Sequence, residues 1–185
     1  QFTRRFVAGE TIGEALDVVR ELNAKGITAS LDLLGESVNN DAEARAARDE
    51  YLKILDRIRD SKVDATVSVK LTAMGLDIDH ELCVSIMQDI LMRAQAHDTF
   101  VRLDMESSAY TDITLKLFEE RLHPAYKANV GVVLQSYLYR TFADVEQMNG
   151  LRARVRICKG AYKEPAKVAY PDKKDVDANY VKCMH

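Results

Sequence analysis

The chain has 185 residues, of which 47% are hydrophobic and 30% are charged, and it contains 8 glycines and 3 prolines. This composition predicts one globular domain over residues 1–185 and excludes a disordered or fibrous chain. With 26 basic and 29 acidic side chains, the formal net charge is -3. A negative net charge does not favour binding to polyanions, so we expect no nucleic-acid partner.

No apolar run approaches the ~20 residues that a membrane-spanning helix needs, and the amino-terminal residues lack the apolar core of a signal peptide. Cys83, Cys158 and Cys183 form no CxxC pair, which is typical of free thiols in a reducing compartment. We therefore expect a cytoplasmic protein. The sequence has no initiator Met and ends without a helix-stop signal, so we expect truncation at both ends.

Segments with helical spacing of apolar residues alternate along the chain with short β-branched runs. In chain order, the predicted elements are a helix over 12–24, a strand over 28–34, a helix over 41–58, a strand over 65–71, a helix over 80–96, a strand over 100–105, a helix over 111–126 interrupted at 123–124, a strand over 130–135, a helix over 142–149, a strand over 155–158 and a last helix capped by Asp177. The strands begin at intervals of roughly 30 residues, which is the repeat length of a βα unit. Such alternation predicts a parallel sheet covered by helices.

The two faces of the predicted strands differ in polarity. One face is apolar in all five strands, whereas the other becomes polar toward the carboxyl ends, with Ser30, Asp32, Ser68, Lys70, Arg102, Asp104, Gln135 and Arg156. A doubly wound open sheet would be apolar on both faces, whereas a barrel has helices outside and functional groups at its carboxyl mouth. The expected fold class is therefore α/β, a (β/α)8 TIM-like barrel of which this chain holds about the first five βα units.

Each predicted strand presents a polar or ionisable side chain at or near its carboxyl end, and in a barrel these ends converge. Any one of them could be an ordinary charge at a strand terminus, where solvent begins. Burying several charges side by side is costly unless they pair or bind a ligand. The set therefore predicts a pocket for a polar substrate or an anionic cofactor.

Other site patterns are absent from the sequence. The four histidines show no HExxH or paired-ligand spacing, so we expect no metal. Neither GxGxxG nor GxxxxGK[ST] occurs, so a nucleotide cofactor would need another mode of binding. Cys158, beside Lys159, is interpreted as an ordinary buried cysteine.

Six segments at the predicted strand ends together resemble one family. They are RRFVAGET (4–11), LDLLGE (31–36), SVKLTAMGLD (68–77), VRLDME (101–106), GVVLQSYLYR (131–140) and VRICKGAYKEP (155–165). They resemble the proline dehydrogenases in the family's order and over essentially the whole chain. The KGAYKEP form is similar to the stand-alone bacterial enzymes, since the large bifunctional ones usually place Trp after KGAY.

The resemblance implies a distorted (β/α)8 barrel that holds FAD noncovalently. It implies oxidation of L-proline to Δ1-pyrroline-5-carboxylate, with electrons passed to a quinone, and it leaves peripheral association with the inner membrane open. Since the cofactor carries the redox chemistry, the protein would supply orientation and charge.

The resemblance also implies roles for five residues around the flavin. Arg156 matches the arginine that contacts flavin N5, and Gln135 matches the glutamine at the edge of the isoalloxazine ring. Lys159 matches a flavin-side lysine, while Arg102 and Asp104 match strand residues beside the flavin. A positive charge at N5 would favour the reduced, anionic flavin.

Three further residues match positions at the proline site. Lys70 and Asp32 match an ion pair there, with Lys70 near the substrate carboxylate, and Tyr162 matches an aromatic residue that lines the same region. The family's paired arginines and its strands six to eight do not follow His185. Because a complete barrel takes ~250 residues, the resemblance implies about five-eighths of a catalytic domain, which we expect to be inactive by itself.

Two other classes of function remain open at the level of sequence. A lysine at the end of a barrel strand, flanked by carboxylates, is also typical of a Schiff-base aldolase, and here that lysine would be Lys70. A chain with open sheet edges could instead be an interaction fragment that associates through those edges.

Overall fold

The computed structural model describes residues 7–35 and 37–185. Residues 1–6, which include the start of the RRFVAGET segment, and Glu36 of LDLLGE lie outside the described residues. The chain divides into two compact units between Val101 and Arg102.

Helices and strands alternate along the described residues. They are α1 (Ile12–Asn23), β1 (Ala29–Asp32), α2 (Asp41–Ser61), β2 (Ala65–Val69), a 3₁₀ turn (Thr72–Met74), α3 (His80–Ala96), β3 (Val101–Leu103), α4 (Ser108–Leu117), a π-helical segment (Phe118–Leu122), α5 (His123–Tyr126), β4 (Val130–Gln135), α6 (Thr141–Leu151), β5 (Arg154–Cys158) and α7 (Lys173–Met184). The strand order is β1-β2-β3-β4-β5. All five predicted strands are confirmed, and their order is that of successive βα units.

Polar cap residues set the starts of the helices in the first unit. Thr11 and Glu14 form a reciprocal capping box at α1. The side chains of Asn40 and Asp79 accept hydrogen bonds from the backbone amide three residues on, at α2 and α3. These contacts satisfy amides that have no partner within the helix, and each stabilises it by ~1 kcal/mol.

The core of the first unit forms on one side of the β1–β2 pair. The two strands are parallel, with Asp32 beside Ser68. The buried side chains include Tyr51, Leu55 and Ile58 of α2, Val67 and Val69 of β2, and Ile86, Met87, Ile90 and Leu91 of α3. Burial of each aliphatic side chain contributes ~1.5–3 kcal/mol.

The second unit forms around β4, which is buried along its whole length. β4 pairs in parallel with β5, so that Val133 lies beside Arg156 and Gln135 beside Cys158. Helix α7 is held to the end of β4 by the buried Asn179, whose Nδ2 donates to the carbonyl of Ser136 at 2.7 Å.

The helix predicted over 111–126 differs in detail. It begins at Ser108, and its interruption takes the form of the π-helical turn Phe118–Leu122. Pro124 cannot donate a backbone hydrogen bond, and in a regular α-helix its ring would clash with the carbonyl four residues earlier. A π turn widens the helix just before the proline and accommodates it.

The predicted cap of the last helix was wrong. Helix α7 begins at Lys173 with Asp172 as its N-cap residue, and Asp177 lies one turn inside the helix. There Asp177 accepts hydrogen bonds from Lys159 and Lys173. These cations explain why an acidic residue is stable at this interior position.

The three cysteines are free thiols. Within the described residues, no helix has both the length and the apolar character that crossing a membrane would require.

Candidate functional site

The first unit contains the ion pair that the family resemblance implies. Lys70 Nζ donates to Asp32 Oδ2 at 2.5 Å, and the two side chains are 17% and 30% exposed. Because Asp32 lies beside Ser68 in the parallel register, Lys70, two residues further on, extends from the same face of the strands. The hydrogen bond between the hydroxyls of Ser30 and Ser68, at 2.9 Å, lies on this face too.

The hydroxyl of Tyr51 lies next to the Asp32 side of this ion pair. Its hydroxyl oxygen lies 3.1 Å from Asp32 Oδ1 and 2.9 Å from the Ser68 carbonyl, and it accepts from the Leu33 amide at 3.3 Å. The sequence predicts a helix over 41–58, which contains Tyr51, but it assigns this residue no role. The residue type alone could have indicated a hydrogen-bonding role, because a buried tyrosine needs a partner for its hydroxyl.

The second unit contains a group of arginines around one carboxylate. Arg156 Nη2 donates to Asp104 Oδ1, and the Asp104 side chain is 18% exposed. The pKa of Arg102 is lowered, firstly by its burial and secondly by the positive charge of Arg156. Burial is therefore the main cause of the lowered pKa, and the nearby arginines add positive charge that suits an anionic ligand.

Gln135 presents an unused hydrogen-bond acceptor in the same unit. Its Nε2 donates to the carbonyl of Met105 at 3.2 Å. Its buried Oε1 has no hydrogen-bond partner among the described residues. Leaving a buried acceptor unpaired costs ~1–3 kcal/mol, so the site suits a ligand that donates a hydrogen bond to this oxygen.

Lys159 points toward helix α7. Its Nζ donates to Asp177 Oδ1 at 2.5 Å, and Lys173 donates to Asp177 Oδ2. These bonds, that from Lys159 first, lower the pKa of Asp177. The positive charge of Lys159 is therefore partly neutralised within the protein.

Tyr162 packs against a small apolar cluster of Tyr137, Leu138 and Ala169. Gly160 has a φ of +102°, and a Cβ at this position would lie 2.3 Å from the Tyr137 ring. Only glycine combines this backbone conformation with so close a contact. Burial, and next the Glu164 carboxylate, raise the pKa of Tyr137 to about 12.

The structure brings Lys70 to Asp32 and Arg156 to Asp104. The convergence of all five strand ends on one pocket stays a prediction. Sequence reasoning missed two contacts of the second unit, which are Asp177 with Lys159 and Glu164 with Ser108. The motif KGAYKEP contains Glu164, but nothing in the local sequence indicates a partner 56 residues away.

Within the part of the chain that the structure describes, no group of three or more His, Cys, Asp or Glu side chains is placed to hold a metal ion.

Comparisons with known proteins agree on one family. The family described as Proline dehydrogenase matches residues 15–185. The Proline dehydrogenase of Deinococcus radiodurans is 40% identical over 179 residues, which covers 95% of this chain and 58% of that protein. Proline dehydrogenase 2 of Bacillus subtilis is 38% identical over 180 residues, with coverage of 97% and 59%.

Among solved structures, proline utilization A (PutA) from Bdellovibrio bacteriovorus, inactivated by N-propargylglycine, is similar with a TM-score of 0.86. The two chains are 25% identical, and the match covers 97% of this chain and 23% of the other.

These matches confirm the predicted α/β fold, of the TIM-like barrel type. The chain belongs to the proline dehydrogenase family. It spans 58–59% of the length of the Deinococcus and Bacillus relatives.

Proposed function

We propose that the protein is an oxidoreductase that converts L-proline to Δ1-pyrroline-5-carboxylate, with FAD as its cofactor and a quinone as the final acceptor. The observation that carries this proposal is the family match over residues 15–185, because all eight candidate site residues fall inside it. Residues 1–185 would then be part of one catalytic barrel.

The second unit fits a flavin. The isoalloxazine ring has an N–H donor at its pyrimidine edge, and the buried Oε1 of Gln135 is an acceptor in need of one. When bound, the flavin supplies the acceptor for a hydride from the substrate. Arg156 and Arg102 provide positive charge that stabilises an anionic ring, while Asp104 orients the Arg156 guanidinium.

The Lys70–Asp32 pair of the first unit is the proposed site for the proline carboxylate. The Lys70 ammonium is a positively charged donor group, and its Nζ donates to Asp32 Oδ2. Asp32 in turn lies within hydrogen-bond distance of the Tyr51 hydroxyl, which fixes the direction of the lysine. In this proposal, Lys70 orients the substrate through its carboxylate.

We further propose that the quinone is reached at the surface of the inner membrane by a cytoplasmic enzyme that associates peripherally. The relative named Bifunctional protein PutA in Escherichia coli is 29% identical over 180 residues. Together with the similarity to a solved structure of proline utilization A (PutA), this supports a shared use of proline.

The alternative of a Schiff-base aldolase finds no support in the geometry around Lys70. Its amino group is held by Asp32 at 2.5 Å, and an ammonium that is bound to a carboxylate is not the free amine that attacks a carbonyl. Borohydride trapping with carbonyl substrates would detect such an activity.

The visible spectrum of the complete protein tests the proposed function. Bound oxidised flavin absorbs near ~450 nm, and L-proline added without oxygen should bleach this band. A soluble quinone should then restore it. A colourless protein, or a band that L-proline leaves unchanged, would contradict the proposal.

A further inference from the structure

Glu164 joins two segments of the second unit that are far apart in sequence. Its Oε1 accepts from the Ser108 amide and its Oε2 from the Ser108 hydroxyl, both at 2.6 Å. Ser108 is the first residue of α4, which follows β3, whereas Glu164 lies in the segment after β5. Both side chains are half-buried.

Helix α4 lacks a cap of its own. The N-cap residue Ser107 makes no side-chain capping bond, and the first turn has no acidic residue. A helix N-terminus has unsatisfied amides and a partial positive charge. Glu164 supplies an acceptor and a negative charge from a distant segment, so the contact is a capping interaction made through the tertiary fold.

The two ends of the segment after β5 are held by the backbone of the loop after β4. The amide of Tyr137 donates to the Lys159 carbonyl at 2.9 Å, and the amide of Tyr139 donates to the Val168 carbonyl at 3.1 Å. Glu164 lies between these points and holds the middle of the segment to α4. Tyr162, two residues before it, packs against the loop after β4.

On the Ser108 side, the contact between Glu164 and Ser108 lies close in sequence to the candidate flavin residues. Asp104, the partner of Arg156, and Met105, whose carbonyl binds Gln135, lie immediately before α4. A shift of Ser108 would therefore move the peptide that orients Gln135 and Arg156. One carboxylate thus joins two segments that carry candidate site residues.

We propose that Glu164 is a positioning residue for the oxidation of proline, acting through Ser108 to fix the segments that contain Asp104 and Tyr162. This inference rests on the proposed function. Glu164 need not touch the substrate or the cofactor, and its effect is transmitted by the backbone.

The test compares Glu164→Ala, Glu164→Gln and Ser108→Ala with the parent in the complete, flavin-loaded protein. Glu146→Ala, which removes an exposed carboxylate on α6, is the matched control. Rates are expressed per bound flavin. Amide hydrogen exchange is followed in the peptides that cover residues 104–112 and 159–166.

For Glu164→Ala, we expect kcat/KM for proline to fall about 10- to 100-fold, the usual effect of losing hydrogen bonds to a charged group. A raised KM should account for part of this loss, and exchange should accelerate in both peptides. Glutamine can still accept from the Ser108 amide and donate to its hydroxyl, so Glu164→Gln should recover most of the activity. Ser108→Ala keeps the amide donor and should have the smaller effect.

A merely structural role would reduce the amount of folded, flavin-loaded protein and leave KM unchanged. Unchanged KM and kcat per flavin in Glu164→Ala would overturn the inference, as would unaltered exchange in both peptides. If the parent itself does not oxidise proline, the proposed function fails, and the exchange data alone decide whether Glu164 holds the two segments.

Discussion

At the scale of single residues, Arg156 has the clearest electrostatic task, because it pairs with Asp104 next to the half-buried Arg102. We expect Arg156→Met in the complete enzyme to lower flavin affinity or the rate of flavin reduction by about 30- to 1000-fold, the usual effect of losing a charge-assisted contact to a group that becomes anionic. Flavin content and stopped-flow reduction by proline measure this effect. Lys167→Met, which removes an exposed positive charge, is the control, and equal behaviour of the two variants would remove Arg156 from the site.

We expect Lys70 to contribute to the use of proline and not to the binding of flavin. We expect Lys70→Ala to lower kcat/KM for proline by about 100-fold while the flavin stays bound, since loss of one partner of a largely buried ion pair costs ~3 kcal/mol. Steady-state kinetics measure kcat/KM for proline, and the visible spectrum measures the bound flavin. Lys53→Ala, whose side chain is 66% exposed, should behave like the parent. Normal proline kinetics with depleted flavin would reverse the assignment.

The positions of these residues could be predicted from the sequence, but their supporting contacts could not. Strand alternation alone places Asp32 and Lys70 on one face, and the structure pairs them. The hydroxyl of Tyr51 comes from a helix. Its approach depends on how that helix packs, which no local pattern specifies.

At the scale of secondary-structure elements, the buried His97, the C-cap residue of α3, links this helix to α2 in the first unit. Asp56 of α2 lies 2.6 Å from His97 Nε2 and 2.5 Å from Arg93 Nη1. The His97 side chain is 7% exposed. These bonds, that to His97 first, lower the pKa of Asp56.

A carboxyl whose pKa is lower in the folded state stabilises the fold above its unfolded pKa, and this contribution is lost as the pH falls through the folded value. We expect Asp56→Asn to lower Tm at pH 7 by roughly 3 °C, equivalent to ~1 kcal/mol for a partly exposed group. The difference from the parent should shrink below about pH 4. Thermal melts across this pH range measure it, and Asp60→Asn, at a side chain that is 59% exposed, is the control. A difference that stays constant down to pH 3 would contradict this assignment.

The existence and order of the elements could be predicted because each has its own periodic pattern of apolar residues. Helix boundaries that depend on contacts with distant segments could not be predicted in this way. Helix α7 begins at Lys173 after the N-cap residue Asp172, and Asp177 inside it binds Lys159 of another segment. Without knowledge of that contact, Asp177 resembles a cap.

At the scale of the whole molecule, β1 and β5 stand at the two ends of the strand order. We predict that the 185-residue chain by itself binds FAD weakly and does not turn over proline. Within the described residues, β1 and β5 each have one neighbouring strand, and edges that are left unpaired favour association over binding. The chain also spans 58–59% of its relatives' length. Flavin fluorescence, proline-dependent dye reduction and light scattering test this, with the complete protein as control. A yellow monomer that reduces dye with proline would contradict the prediction, because five strands would then be enough to bind FAD and oxidise proline.

The contact between Gly160 and the Tyr137 ring restricts the order in which this protein can change during evolution. A methyl group at position 160 would collide with the ring at 2.3 Å, and the φ of +102° would strain any other residue. A smaller side chain at position 137 must therefore be acquired before or together with a substitution at position 160. In an ancestor that still carries the tyrosine, a substitution at position 160 would add a steric clash to the backbone strain, whereas with a small residue at position 137 only the strain would remain.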